Sequence, residues 1–104
     1  MSQAKGYLVA KVRVTDASKY AAQAPAYGKA TAQAQAKYDG RALVKGGRHA
    51  ALEGNVFERN VILEFPSFDN AVAYFHSEDY QAAKALLQDA AEFEMVAVEG
   101  LAPQ

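Results

Sequence analysis

Apolar and polar positions alternate from Gly6 to Val14, with Leu8, Ala10, Val12 and Val14 on one face and Tyr7, Val9, Lys11 and Arg13 on the other. A period of two predicts a half-buried strand. The period then lengthens. Thr15 or Asp16 is placed to cap a helix in which Tyr20, Ala24, Tyr27, Thr31, Ala34 and Tyr38 recur every three or four residues along one face. Pro25, followed by Gly28, predicts a break or kink near Ala24. Asp39-Gly40 closes the helix where a residue with positive φ is needed, and Arg41 to Lys45 reads as a second strand. Paired glycines at 46 and 47 predict a bulge or a close backbone approach, after which the strand is expected to resume through Arg48 to Leu52. A short turn at Glu53-Gly-Asn55 would then lead into a third strand from Val56, making a hairpin. That strand would carry Phe57, Arg59, Val61, Leu63 and Phe65 on one side and Asn60, Ile62 and Glu64 on the other.

The stretch from Arg59 to Tyr80 organises the rest, because a strand, a stop and a helix start follow one another in it directly. Val61 to Phe65 favours β structure, Pro66 cannot donate to a ladder, and Ser67 can cap a helix opening at Phe68. This helix is expected to bury Phe68, Val72 and Phe75, to break at His76-Ser77, and to restart under Ser77 with Tyr80, Ala83, Leu87 and Ala90 inward. Phe93 to Glu99 alternates as a fourth strand. The order βαββαβ with right-handed crossovers places both helical regions on one face of a four-stranded antiparallel sheet, the ferredoxin-like α+β fold. The opposite face mixes Val9 and Ile62 with Lys11 and Glu64, too apolar for open water and too polar for a sealed core. A homodimer closing over this open sheet face is therefore expected.

A chain of 104 residues is read as a single domain spanning 1–104, and at this length only roughly two-thirds of the unfolded surface is buried on folding. Much of its 51% hydrophobic content is alanine, which contributes little area per residue. Eleven basic and twelve acidic residues leave no excess charge to hold a phosphate backbone or an anionic membrane, so nucleic acid and membrane are not expected partners. The absence of cysteine removes disulfides, thiolate catalysis and cysteine-ligated metals. No stretch approaches the roughly 20 apolar residues of a membrane span or the shorter core of a signal peptide, which makes a cytoplasmic location the expectation.

Taken together, Lys37-Tyr-Asp-Gly-Arg-Ala-Leu-Val-Lys-Gly-Gly47, Leu52-Glu-Gly54, Val61-Ile-Leu-Glu-Phe-Pro-Ser-Phe68, Tyr74-Phe-His-Ser-Glu-Asp-Tyr80 and Val98-Glu-Gly100 resemble the DUF1330 family of small bacterial proteins. The resemblance runs from Gly6 to Gly100 and implies the dimeric α+β barrel superfamily. Relatives there include cofactor-independent monooxygenases, haem-degrading enzymes and lactone isomerases, while this branch has no settled activity. Three positions depart from the family pattern: Asp39 where a glycine is common, Lys45 where an arginine precedes the paired glycines, and Leu87 where an arginine often follows a leucine. Lys45 keeps the charge but lacks the planar fork that grips a carboxylate bidentately.

Candidate chemistry centres on a cleft between the open face and the broken second helix, lined by Tyr7, Lys45, Arg48, Glu64, His76 and Tyr80. Glu64, on an otherwise apolar strand near cations, reads as a general base with a perturbed pKa or as an ion pair at the dimer seam. His76, at a helix break, reads as an acid, base or ligand, or as a surface residue favouring a helix C-terminus. Tyr7, Lys45, Arg48 and Tyr80 would contact a small aromatic or carboxylated metabolite. Two histidines without metal-ligand spacing argue against a metal site, and no cofactor is expected. Two functions remain open: a homodimer with a ligand pocket and cofactor-independent monooxygenase- or isomerase-like chemistry, or a non-catalytic oligomeric module whose charges knit the seam.

Overall fold

The alternating run Gly6–Val14 forms β1, a central strand of the sheet in the computed structural model, which describes residues 4–55 and 57–102. β1 pairs antiparallel with β3 (Arg59–Phe65) on one side and β4 (Ala91–Glu99) on the other, and β2 (Arg41–Lys45) extends the sheet beyond β3, giving the order β2-β3-β1-β4. The helices α1 (Ala17–Lys37), α2 (Phe68–His76) and α3 (Glu78–Ala85) cover one face, the expected ferredoxin-like arrangement. Register explains the core: Leu8 sits between Leu63 and Ala97, and Leu8, Leu63 and Phe65 meet Ala34, Ala71, Tyr74 and Tyr80 from the helices.

Local chemistry fixes the helix ends. The Asp16 carboxylate accepts from Lys19 N at 3.0 Å and opens α1, and Ser67 Oγ accepts from Asn70 N at 3.1 Å and opens α2. Ser77 serves both sides of the break between α2 and α3, donating to Tyr74 O at 2.7 Å and accepting from Tyr80 N at 3.1 Å. Gly6 packs against the backbone of Ser67 and Phe68, where a Cβ would collide with main chain that cannot yield, so β1 and the start of α2 are held in register.

Four local expectations are corrected. α1 is one continuous helix through Pro25, with no break near Ala24. The carbonyl that loses its donor belongs to Ala21, and both residues are exposed, so water can serve it. α2 buries Ala71 and Tyr74, while Phe68 is 37% exposed and Val72 and Phe75 are half-buried: the start of the helix presses its backbone on Gly6, and the Ala71–Tyr74 side faces the sheet. The sheet does not resume after β2. Gly46 and Gly47 both take positive φ (76° and 88°) and carry the chain out of the pleat, so Arg48 to Leu52 is loop, Glu53-Gly-Asn55 lies within it, and β3 begins only at Arg59. The expected strand start at Val56 lies outside the described residues. The bulge falls at Leu43, between Ala42 and Val44. Finally Phe57 is buried beneath Lys11 and Arg13, with the guanidinium 4.5 Å from the ring centre, on the face away from the helices instead of beside Val61 and Leu63.

That other face carries three cross-strand rows. Arg41, Glu64, Tyr7 and Val98 form the first, Val44, Ile62, Val9 and Val96 the second, and Asn60, Lys11 and Glu94 the third. No helix covers it among the described residues, and Val96 remains 54% exposed.

At the end of α1 the left-handed residue is Asp39 (φ 59°), not Gly40. A non-glycine residue there is strained by about 1 kcal/mol, and a carboxylate just past a helix C-terminus opposes the macrodipole. Asp39→Gly is expected to raise the midpoint of thermal unfolding, by about 0.5 kcal/mol of stability once the greater freedom of the unfolded glycine chain is offset. Calorimetry on the two proteins checks the sign.

Candidate functional site

α1 approaches α3 closely but stands off the sheet, whereas α2 approaches β1, β3 and β4. The residues it turns inward explain the gap. Ala24, Gly28, Thr31 and Ala34 are small, and the strand beneath offers Ala10 between Leu8 and Val12. Interiors otherwise pack to near-crystal density, so short side chains on both walls leave a void. The cavity measures about 170 Å³. For scale, an apolar cavity of ~150 Å³ accepts one benzene molecule.

Its floor is Leu8, Ala10, Val12, Val61, Leu63, Phe93 and Met95, its roof is the inward face of α1, and Tyr74, Tyr80 and Leu87 close one end. Half of the polar side chains on this apolar lining are tyrosines: Tyr20, Tyr27, Tyr74 and Tyr80. Tyr27 and Tyr80 face each other with hydroxyls 3.5 Å apart, and the Tyr27 ring meets Phe93 edge-on at 5.9 Å. Thr31 Oγ1 is spent locally, donating to Tyr27 O at 2.9 Å, whereas Gln35 also lines the space. Burial pushes the Tyr27, Tyr74 and Tyr80 phenols above their ordinary pKa, with the neighbouring Tyr80 adding to the effect on Tyr27. These groups remain neutral hydroxyls, able to donate hydrogen bonds, throughout the physiological range. Two cations line the same space: Lys45 from β2 and Arg59 from β3.

The six residues picked out from the sequence do not converge on one cleft. The helices pack on the other face from the one Tyr7 and Glu64 occupy, so no cleft forms between the open face and α2. Tyr7 and Glu64 come together with Arg41: the Glu64 carboxylate accepts from Tyr7 Oη at 3.0 Å and from Arg41 Nε at 2.9 Å. Lys45 and Tyr80 line the cavity beneath α1. Arg48 and His76 are exposed and line neither group, with the His76 ring against the edge of Phe75. Arg41 holds the Glu64 carboxyl below the usual carboxylate range, reinforced by Tyr7, which is the reverse of what a general base at neutral pH requires. The same hydrogen bond raises the Tyr7 phenol.

Sequence reasoning missed Arg59, Tyr27 and Gln35 as cavity residues. Tyr27 was legible as an inward position, and the signal that it lines a space and not a filled core was the run of small residues at 24, 28, 31 and 34 on the same face. Arg59 alternates in phase with Val61, Leu63 and Phe65, a cation on the apolar side of its strand, and that phase was the available signal. Among the described residues no group of three or more histidine, aspartate or glutamate side chains converges as a metal site would need, and no helix is long and apolar enough to cross a membrane.

Residues 5–101 match the protein family described as "Domain of unknown function (DUF1330)". No curated protein matches the chain. Among solved structures, the RPA0582 protein of unknown function from Rhodopseudomonas palustris is 20% identical, with a TM-score of 0.72 over 97% of this chain and 85% of that one. A dimeric protein of unknown function with a ferredoxin-like fold from Bacteroides fragilis is 15% identical, with a TM-score of 0.64 over 91% of this chain and 95% of that one. SnoaB, a cofactor-independent oxygenase from Streptomyces nogalater, is 10% identical, with a TM-score of 0.52 over 97% of this chain and 95% of that one. At such identities the likeness carries the fold alone.

The Glu64 pair yields a pH dependence. Because its pKa in the folded protein is lowered, its contribution to stability is complete above the ordinary carboxylate pKa, about 4.3, and is lost as the pH falls through the depressed value. Wild-type protein is expected to lose stability on acidification below about pH 4, and Glu64→Gln to show a flatter acid limb. Thermal unfolding followed by circular dichroism across that window reads the difference.

Proposed function

The chain belongs to the DUF1330 family, and on that premise we propose that it is a small-molecule binding protein whose site is the cavity beneath α1. The ligand we infer is a single-ring organic metabolite, held on the apolar floor by Tyr27 from the roof and Tyr80 from one end, with Lys45 at the rim. The observation that carries this reading is an apolar space of one-ring size furnished with neutral phenol donors. Donors and nearby cations favour the ionised form of a bound enol or phenol. The pocket therefore suits cofactor-independent chemistry, of the kind named for SnoaB, on a substrate that ionises readily, with the protein stabilising charge and no side chain acting as the base.

A second copy covers the open sheet face in this proposal. The row Val44, Ile62, Val9 and Val96 supplies apolar area across all four strands, and the flanking Arg41–Glu64–Tyr7 cluster supplies polar register, an arrangement favouring two-fold self-pairing. The Bacteroides fragilis protein of the same fold is described as dimeric. For Glu64 the non-catalytic reading is favoured, since an ionised carboxylate gripped by Arg41 braces a seam better than it removes a proton.

Single-ring aromatic compounds are expected to raise the melting temperature, on the order of 10 °C at a hundredfold excess over Kd. Ala24→Leu, which fills the space from the roof, is expected to fold and to lose that shift. If a broad screen of such compounds leaves the melting temperature unchanged, the cavity is not a binding site. Separately, wild-type protein is expected to sediment as a dimer and Val96→Asp as a monomer. Monomeric wild-type protein at high concentration would remove the proposed seam.

A further inference from the structure

We propose that Lys45 and Arg59 form a carboxylate clamp at the rim of the cavity, so that the ligand is a single-ring aromatic acid with its ring beneath α1 and its carboxylate between the two cations. This rests on the cavity reading above and narrows it to a ligand class.

Placement on the sheet is the first support. Register sets Lys45 opposite Val61, and Arg59 lies two residues along β3 from Val61 on the same face, so the two cations are diagonal neighbours on adjacent strands. This is the side of the sheet on which α1, α2 and α3 lie, where Val61, Leu63 and Phe65 of β3 point inward, while β2 at the sheet edge stays exposed along its length. Lys45 is exposed and Arg59 half-buried, so the pair keeps contact with water at the rim, and two neighbouring cations at one end of an otherwise apolar wall repel each other unless an anion joins them.

The second support is the state of their partners. Among the described residues the ion pairs are Arg13–Glu92, Lys37–Asp79 and Arg41–Glu64, and none engages Lys45 or Arg59. Arg41, a near neighbour of the clamp in sequence, is occupied on the other face by Glu64.

Room for the guanidinium is the third. A Cβ at Gly46 would stand 2.9 Å from an Arg59 terminal nitrogen, so glycine there leaves the space in which the Arg59 side chain lies. Arg59 lines the cavity together with Tyr27 from the roof. A planar carboxylate matches the fork of an arginine, and the lysine adds a second, point-like charge. A cavity of about 170 Å³ leaves space for one ring behind that carboxylate.

The test uses a matched pair of probes on the full chain, benzoate and its neutral isostere benzamide, titrated calorimetrically at low and high salt. Benzoate is expected to bind about tenfold more tightly than benzamide at low salt, with the preference shrinking as salt rises. Lys45→Gln with Arg59→Gln is expected to abolish the preference, bringing the benzoate and benzamide affinities within twofold of each other. If both probes bind wild-type protein with affinities within twofold of each other, the clamp is wrong and the cavity reading stands. If neither binds, both are wrong. Because the comparison between probes is made on wild-type protein, it decides the matter even where the double variant folds poorly.

Discussion

The distance between α1 and the sheet governs this molecule. A helix of alanines with a few tyrosines cannot lie flat on a strand and fill the space beneath itself. The tyrosines hold the helix off and the alanines leave the gap. α3 supplies the lateral support that keeps α1 in that position, through close packing and the Lys37–Asp79 ion pair that ties the end of α1 to the start of α3. Burying small side chains contributes little per residue, so the cavity lies where the chain invests least in packing. The stable part of the core sits instead under α2 and α3, where Phe65, Tyr74, Tyr80 and Leu87 are all at most 1% exposed and the rings of Tyr74 contact Phe65 and Tyr80 at about 5 Å.

The two faces of the sheet consequently have different characters. On the helix side, residues of even number in β1 meet a nearly apolar environment interrupted by tyrosine hydroxyls and by Lys45 and Arg59. On the other side, residues of odd number meet valines, isoleucine and a charged network centred on Glu64. A strand's two-residue repeat makes this separation automatic: Lys45 and Val44, adjacent in sequence, belong to opposite faces and to different parts of the proposed function. In the proposed function, cations on the helix side bear on a ligand and cations on the open side on self-association.

Much of the candidate site was legible in part. The inward positions Tyr20, Ala24, Tyr27, Thr31, Ala34 and Tyr38 follow from helical period alone, and Tyr80, Ala83, Leu87 and Ala90 likewise, with the last four all buried. Legible position did not amount to a legible site, because periodicity says which side chains face inward and not how far the facing element stands. Glu64, Tyr7 and Lys45 were sensible choices by residue type. Sorting them onto two faces required the bulge at Leu43, which shifts the phase of β2 against β3, and sequence marks no bulge at a leucine.

Local rules therefore determined what local energetics decide: strand alternation in β1, the caps at Asp16, Ser67 and Ser77, the break at Ser77, and the βαββαβ order that selects the ferredoxin-like sheet. Each rests on interactions between residues a few positions apart, which a chain carries in its order. Tertiary structure decided the rest: that Pro25 rides on a solvent-facing side of an unbroken helix, that the double glycine ejects a loop whose Phe57 returns under Lys11 and Arg13, and that Lys45 and Arg59 border one cavity. Those outcomes depend on which surfaces meet across distances in sequence of ten to seventy residues, where packing competes with propensity and the larger burial wins.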